Sequence, residues 1–353
     1  MAERPLRYVG VAHDLRSPYP ALQEADLELA RQAGFNTVKL ITTWSPSQAE
    51  AINDVPILKA AVTAAKRRGL EVIVTFAPCW QRDFCHPPLS VSDQRRFVTT
   101  LGYLARTLDV RLWEIGNEPN SSTFWWPQFS FRGESVAPKS YARLVGLAYD
   151  ELKKVSAENK LICGALTSGG FDNPGRPKES HSVERFIAEM GAAYRQSGRN
   201  APLCDIFSLH PYGENPEEPP TVVHGSLVGF ADHLRLVAAL RLAFRGTAQS
   251  LPPVLYSEYG VDAQVPPGKR NLYSGVPAVR VAENRQADFY RQAFLLAACQ
   301  PGTIGVILFM IRDEPQLERW QSGLYYPDGS AKSSLPSVRQ AMLDASSGNV
   351  ACE

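Results

Sequence analysis

The chain has 353 residues, of which 44% are hydrophobic, enough for a large buried core. Lys and Arg total 37 against 36 for Asp and Glu, a formal net charge of +1, and this balance argues against a nucleic-acid partner or an anionic membrane surface. No apolar run is long enough to span a membrane, and the N-terminal MAERPLRYVG lacks the apolar stretch of a signal peptide. The expectation is a cytoplasmic protein, or a secreted one whose leader has been trimmed.

Extended apolar runs recur along the chain, each followed by a helical pattern. RYVGVAHD (7–14) reads as the first strand, with a helix over 20–33 stopped by Gly34. TVKLITTW (37–44) is rich in β-branched residues, and ILKAAVTAAKRRG (57–69) is an amphipathic helix ending in basic residues and glycine. EVIVTFAP (71–78) precedes a helix near 92–106, and RLWEIGNEP (111–119) precedes one near 139–156. KLICGALTSGG (160–170) is followed by a helix near 182–195, and DIFSLHPY (205–212) by one near 226–244. PVLYSEYGV (253–261) leads to a helix near 284–298, and GVILFMIRDEP (305–315) to a last one over 335–345.

Strands that are apolar throughout suit parallel strands buried on both faces, and strand–helix alternation gives right-handed parallel units. Eight such units with no break in composition predict an α/β protein, a single (β/α)8 TIM barrel in which residues 1–353 form one catalytic domain. An open doubly wound sheet is the rival, but VGVAHDLRS after the first strand is no glycine-rich phosphate loop. The chain ends soon after its last helix, so no appended carbohydrate-binding module is expected. The cysteines Cys79, Cys85, Cys163, Cys204, Cys299 and Cys352 are too sparse for a disulfide scaffold. They read as free thiols in core or loop, although Cys79 and Cys85 are close enough to pair in an exported protein.

A barrel of this type carries its site at the C-terminal ends of the strands. Polar and aromatic residues gather there: His13 and Asp14, Lys39 and Trp44, Trp80, Asn117 and Glu118, His210 and Tyr212, Glu258 and Tyr259, then Arg312, Asp313 and Glu314. Glu118 and Glu258 end strands four and seven, on opposite sides of the barrel. Such a pair suits glycoside hydrolysis, in which one carboxyl donates a proton and the other stays ionised to attack the anomeric carbon. The bland reading of Glu118, a turn carboxylate before proline, does not explain its counterpart across the barrel. Glu114 shares strand parity with Glu118 and reads as half of a buried ion pair with Lys39 rather than as a catalytic group. His210 is either a wall residue or a site residue, and Lys39 either Glu114's partner or a substrate contact. HxH, HExxH and CxxC are absent, so neither a metal nor another cofactor is expected.

With Asn-Glu-Pro after strand four and a second Glu after strand seven, the chain resembles the clan A glycoside hydrolases. WEIGNEPN, TFWWP, the YARLVGLAYDELK helix and the tail GLYYPDGSAKSS are similar to the cellulase-like family 5 and family 39 branch. The resemblance covers essentially the whole chain. It implies a retaining mechanism with Glu118 as acid/base and Glu258 as nucleophile. It also implies that Asn117 holds the sugar 2-hydroxyl, that Tyr212 steadies Glu258 and that His210 borders the pocket. Two positions depart from the clan pattern. Lys39 stands where many members have arginine, and Phe309 and Met310 stand where strand eight usually ends in a sugar-stacking tryptophan. Trp320, Trp125 or Trp126 would then supply that platform from a loop. TFWWP itself reads as a sugar-stacking loop or as a lid on the barrel rim.

The expected substrate is a β-linked oligo- or polysaccharide in a groove walled by Trp44, Trp80, Trp125 and Trp126, and the expected state is a monomer. A transglycosidase on the same residues and an inactive carbohydrate-binding barrel are the alternatives. The presence of both glutamates argues against the second.

Overall fold

Strand and helix alternate in the order the periodicity predicts. The computed structural model describes residues 5–14, 20–45, 55–78 and 87–352, with the side chains at 13, 14 and 20–23 outside the described set. The strands are β1 (Tyr8–Asp14), β2 (Thr37–Trp44), β3 (Glu71–Pro78), β4 (Leu112–Ile115), β5 (Lys160–Thr167), β6 (Ile206–His210), β7 (Val254–Tyr259) and β8 (Thr303–Phe309). The described helices are α1 (Pro20–Ala33), α2 (Val55–Arg67), α3 (Val91–Thr107), α4 (Ala137–Val155), α5 (Val183–Gln196), α6 (His233–Phe244), α7 (Glu283–Cys299) and α8 (Leu335–Ser347). The strands pair in sequence order, and β1 closes on β8, giving an all-parallel barrel. No described helix is long and apolar enough to cross a membrane.

Local chemistry sets the boundaries. Ser90 caps α3 by accepting from the Asp93 backbone N–H, and α2 ends in Lys66 and Arg67, whose charges suit the negative end of the helix dipole. The helix read over 226–244 begins only at His233, after a 3₁₀ turn at Phe230–Asp232. Asp232 explains the delay: its carboxylate accepts from the backbone N–H groups of His224 and Gly229, holding the chain in a loop.

Two apolar layers result. The outer one lies between sheet and helices and includes Val38, Leu40, Trp113 and Phe97. The inner one fills the barrel with Ile41, Ile73, Leu112, Ile162, Ile206, Leu255 and Ile307. One pleat nearer the C-terminal end, β3, β4, β6 and β7 turn polar residues inward: Thr75, Glu114, Ser208 and Ser257, all fully buried. This tier forms the floor of the mouth.

Four cysteines correct the expectation of free thiols: Cys163 bonds Cys204, and Cys299 bonds Cys352, with Cα separations of 5.8 and 5.4 Å. Each pair is far apart in sequence and is brought together by neighbouring elements of the barrel. Cys79 and Cys85 lie outside the described residues.

Candidate active site

The floor is built around Glu114. Its Oε2 sits 2.9 Å from Lys39 Nζ and accepts from the Thr75 hydroxyl at 2.7 Å. Its Oε1 accepts from the Ser208 hydroxyl at 3.0 Å. Both members of the ion pair are fully buried. Burial drives the Glu114 carboxyl upward, but Lys39, His210 and the hydroxyl donors outweigh it and hold it below the usual carboxylate value. The expected pairing with Glu114 is therefore present, and Lys39, also proposed from sequence as a substrate contact, has no surface with which to touch one. Charge can still act through the floor, because Lys39 lowers the Glu258 pKa.

Above the floor, β4 gives way to the Gly116–Asn120 turn. Gly116 and Glu118 both adopt positive φ, +88° and +39°, the second uncommon for a side-chain-bearing residue. The turn is held from β5. The Glu118 N–H donates to the Ala165 carbonyl at 2.8 Å, and Asn120 exchanges hydrogen bonds with the Thr167 backbone at 3.0 Å. β5 can supply that carbonyl because a bulge runs through Gly164 and Ala165. The Tyr141 hydroxyl of α4 ties the two strands together, donating to the Ile115 carbonyl at 2.7 Å and accepting from the Gly164 N–H at 2.8 Å. Tyr141, Asn120, Ser208 and Thr75 escaped the sequence reading. Only the polar hydroxyls inside apolar strands could have signalled the last two.

A second irregularity delivers Glu258. Tyr256 and Tyr259 both pack in the outer layer, so strict alternation fails between them, and the β7–β8 register shifts there. The shift turns Glu258 into the mouth. Its Oε1 accepts from the Tyr212 hydroxyl at 3.0 Å. His210, fully buried, places Nδ1 at 3.1 Å from Glu118 Oε1 and 3.9 Å from Glu258 Oε2. Side-chain donor atoms of Glu118, His210 and Glu258 all lie within 4.8 Å of one another. Groups this close can share a proton or a cation. Burial raises the Glu258 pKa and Glu118 adds to the rise, while His210, Lys39 and the Tyr212 hydroxyl oppose it. Three buried polar atoms at this place find no hydrogen-bond partner among the described residues: Asn117 Oδ1, His210 Nε2 and Glu258 Oε2.

The tryptophans divide. Trp320 is 43% exposed and stands edge-on to Phe309 at the end of β8, with ring centroids 5.3 Å apart. With Tyr212, Tyr259, Asp262, Glu214 and Glu218 it walls a depression of about 170 Å³. Trp126 is 56% exposed on the loop after β4. Trp125 and Trp44 correct the sequence reading. Trp125 is fully buried, donating its indole N–H to Ser140 Oγ at 3.0 Å and meeting Tyr141 edge to face. Trp44 falls on the outward parity of β2, opposite to Lys39, and packs on Phe97 of α3. Neither presents a face to a sugar. Trp80 lies outside the described residues, as do the side chains of His13 and Asp14.

An eight-stranded barrel with a carboxylate pair at its C-terminal mouth shares its fold with solved glycoside hydrolases. A family 39 glycoside hydrolase from the gut symbiont Bacteroides cellulosilyticus superposes with a TM-score of 0.64 at 20% identity, covering 98% of this chain and 64% of that one. A family 5, subfamily 18 protein from Streptomyces cattleya, solved with GlcNAc, gives 0.64 at 17% identity over 97% of this chain and 81% of its own. An exo-β-1,4-mannosidase from Opitutaceae bacterium strain TAV5 gives 0.58 at 18% identity over 99% and 61%. The chain thus spans about two thirds or less of the length of two of these three. At such identities the likeness is one of fold. No protein-family model matches the chain, and no curated relative matches it either.

Proposed function

We propose that the chain is a retaining β-glycoside hydrolase, a single catalytic domain in which Glu118 is the acid/base and Glu258 the nucleophile. One observation carries the reading: Glu118, His210 and Glu258 bring donor atoms within 4.8 Å of one another at the barrel mouth. Retaining enzymes hold their carboxyl pair about 5 Å apart, whereas inverting enzymes leave room for a water at about 6.5–9.5 Å.

In the first step Glu118 gives its proton to the glycosidic oxygen as that oxygen leaves the anomeric carbon, and Glu258 attacks the same carbon to form a glycosyl ester. In the second step Glu118, now a carboxylate, takes a proton from water. The water oxygen bonds to the anomeric carbon, and Glu258 departs with the ester's electron pair. The Tyr212 hydroxyl orients the nucleophile through its 3.0 Å bond to Oε1, leaving Oε2 free to attack. Asn117, with its carboxamide oxygen unpartnered, takes the sugar 2-hydroxyl, an interaction that strengthens in the transition state. His210 orients Glu118 through their 3.1 Å contact. The substrate is a β-linked oligo- or polysaccharide lying in a groove, with Trp320 replacing the missing strand-eight platform and Trp126 stacking farther out.

Proton NMR of an aryl β-glycoside during hydrolysis tests the mechanism. The β-anomer should appear first and then mutarotate. An α-anomer as first product refutes the double displacement.

A further inference from the structure

The loop after β4 and the loop after β5 enclose a second cleft of about 660 Å³ on the barrel rim, of which the reading above uses Trp126 alone. Its wall is tied to the acid/base residue. The Ser121 N–H donates to the Glu118 carbonyl, and the next residue, Ser122, lines the cleft while its N–H bonds the Glu179 carbonyl across to the other loop. Trp126 and Phe131 line it, and Phe131 is 93% exposed. Phe171, 67% exposed, lies beneath Arg176, another lining residue. Three large aromatic faces left open on one rim mark a contact surface rather than scattered exposure.

Two arginines at this cleft stack on its exposed phenylalanines. Arg132 rests over the Phe131 ring at 5.3 Å, and Arg176 over Phe171 at the same distance. Stacking leaves the edge of a guanidinium, where its donors point, open to a ligand. Neither arginine forms a salt bridge or a side-chain hydrogen bond among the described residues; each is held only by its ring. Glu179 is the one described carboxylate in the lining, and its Oε1 is engaged by the Gly175 N–H at 2.7 Å. The cleft therefore offers flat apolar faces for pyranose rings and two uncommitted planar cations for bidentate contact with carboxylates.

Resting on the glycosidase reading, we infer that this cleft is a distal subsite for a glycan bearing carboxylates, and that the natural substrate is an acidic β-linked polysaccharide. Sugars beyond the cleavage point stack on Trp126 and Phe131, and uronate or comparable carboxylate groups dock on Arg132 and Arg176. The small depression by Trp320 is rimmed by Glu214, Glu218 and Asp262 and, among the described residues, offers no cation to a carboxylate, so the acidic units are gripped on the Trp126 side while Trp320 takes a ring face.

Affinity electrophoresis tests this, with the Glu258→Gln protein run through gels containing alginate, β-1,4-glucuronan or xanthan, each beside its carboxyl-reduced form. At least one acidic polymer should retard the protein about tenfold more strongly than its reduced counterpart. An Arg132→Gln/Arg176→Gln double variant should lose that margin, and Trp126→Ala should weaken retardation by both forms. Equal retardation by acidic and reduced polymers, no retardation by any, or a double variant that behaves like its parent overturns the inference. Hydrolysis of a small aryl β-glycoside reports the catalytic reading separately. Arg132→Gln/Arg176→Gln on the wild-type background should leave it within about twofold, since those arginines act only on distal units. Failure of the parent to cleave it while acidic polymers still bind would sink the glycosidase and leave the cleft.

Discussion

Burial raises the Glu258 carboxyl, and only part of the rise is recovered from His210, Lys39 and the Tyr212 hydroxyl. A carboxyl whose folded pKa exceeds its unfolded value stabilises the fold fully below the unfolded value, near 4.5, and that contribution is lost as pH rises through the folded value. Glu258→Gln keeps an acceptor for Tyr212 and removes the buried charge. It should abolish hydrolysis yet raise stability at neutral pH by on the order of 1 kcal/mol, a Tm shift of about 2 °C, and flatten the decline of stability above the unfolded value. Calorimetry across pH 4–8 checks this, and an unchanged or lower Tm at neutral pH contradicts it. Lys39→Met has two consequences with different readouts. It strands Glu114 unpaired in the barrel, at a cost of about 3–5 kcal/mol measured by denaturant titration. It also removes a positive charge that lowers Glu258, so the acidic limb of kcat/KM should move to higher pH. If the limb stays where it was, Lys39 serves Glu114 alone.

Two strand irregularities make the site, one in β5 and one in β7. The β5 bulge depends on Gly164, whose φ is +100° and where an added Cβ would lie 2.4 Å from the Ser208 carbonyl oxygen. Gly164→Ala must therefore both strain the backbone and push β5 from β6. The expected cost is about 3 kcal/mol or more, with kcat falling further than KM rises, because Ala165, the next residue, anchors the Glu118 N–H. Urea denaturation beside steady-state kinetics reads both effects, and a variant with normal kcat would show that the bulge is not what positions the acid. Strand β8 contributes differently. It ends in Phe309, and the following segment returns as a loop whose Trp320 covers that ring. The loop is secured by a fully buried Asp313–Lys332 pair at 2.8 Å, together with the Tyr273 hydroxyl on Asp313 at 2.6 Å. Burial lifts Asp313 to about 6, with Lys332 and Tyr273 pulling against it.

Among the described residues, open aromatic faces stand at separate places on the mouth, Trp320 after β8 and Trp126 with Phe131 after β4. A substrate touching both would cross the mouth over Glu118 and Glu258, which fits internal cleavage of a long chain better than release from an end. Sizing the products of early hydrolysis should show oligosaccharides of mixed length. Monosaccharide alone at every time point would show a blind pocket and refute the groove.

The succession of eight apolar runs and eight amphipathic runs was legible because each unit declares itself by local periodicity, and parallel closure follows from right-handed crossovers. Parity along β4 was enough to turn Glu114 into the barrel as half of a buried ion pair, with Lys39 of β2 as its candidate partner. Parity along β2 would also have turned Trp44 away from the mouth, since it is five residues beyond Lys39 and so on the opposite face. Other features had no local signature. Trp125 and Trp126 are adjacent in a loop, where no period says which is buried. The bulges that aim Glu118's turn and Glu258 arise from register against neighbouring strands. The cysteine pairs and the Arg132–Arg176 cleft join segments separated by dozens of residues. By itself the sequence determined the barrel and the two glutamates, because hydrophobic periodicity acts over a few residues. The tertiary structure alone decided which side chains face the barrel mouth, because that depends on strand register and loop packing between distant parts of the chain.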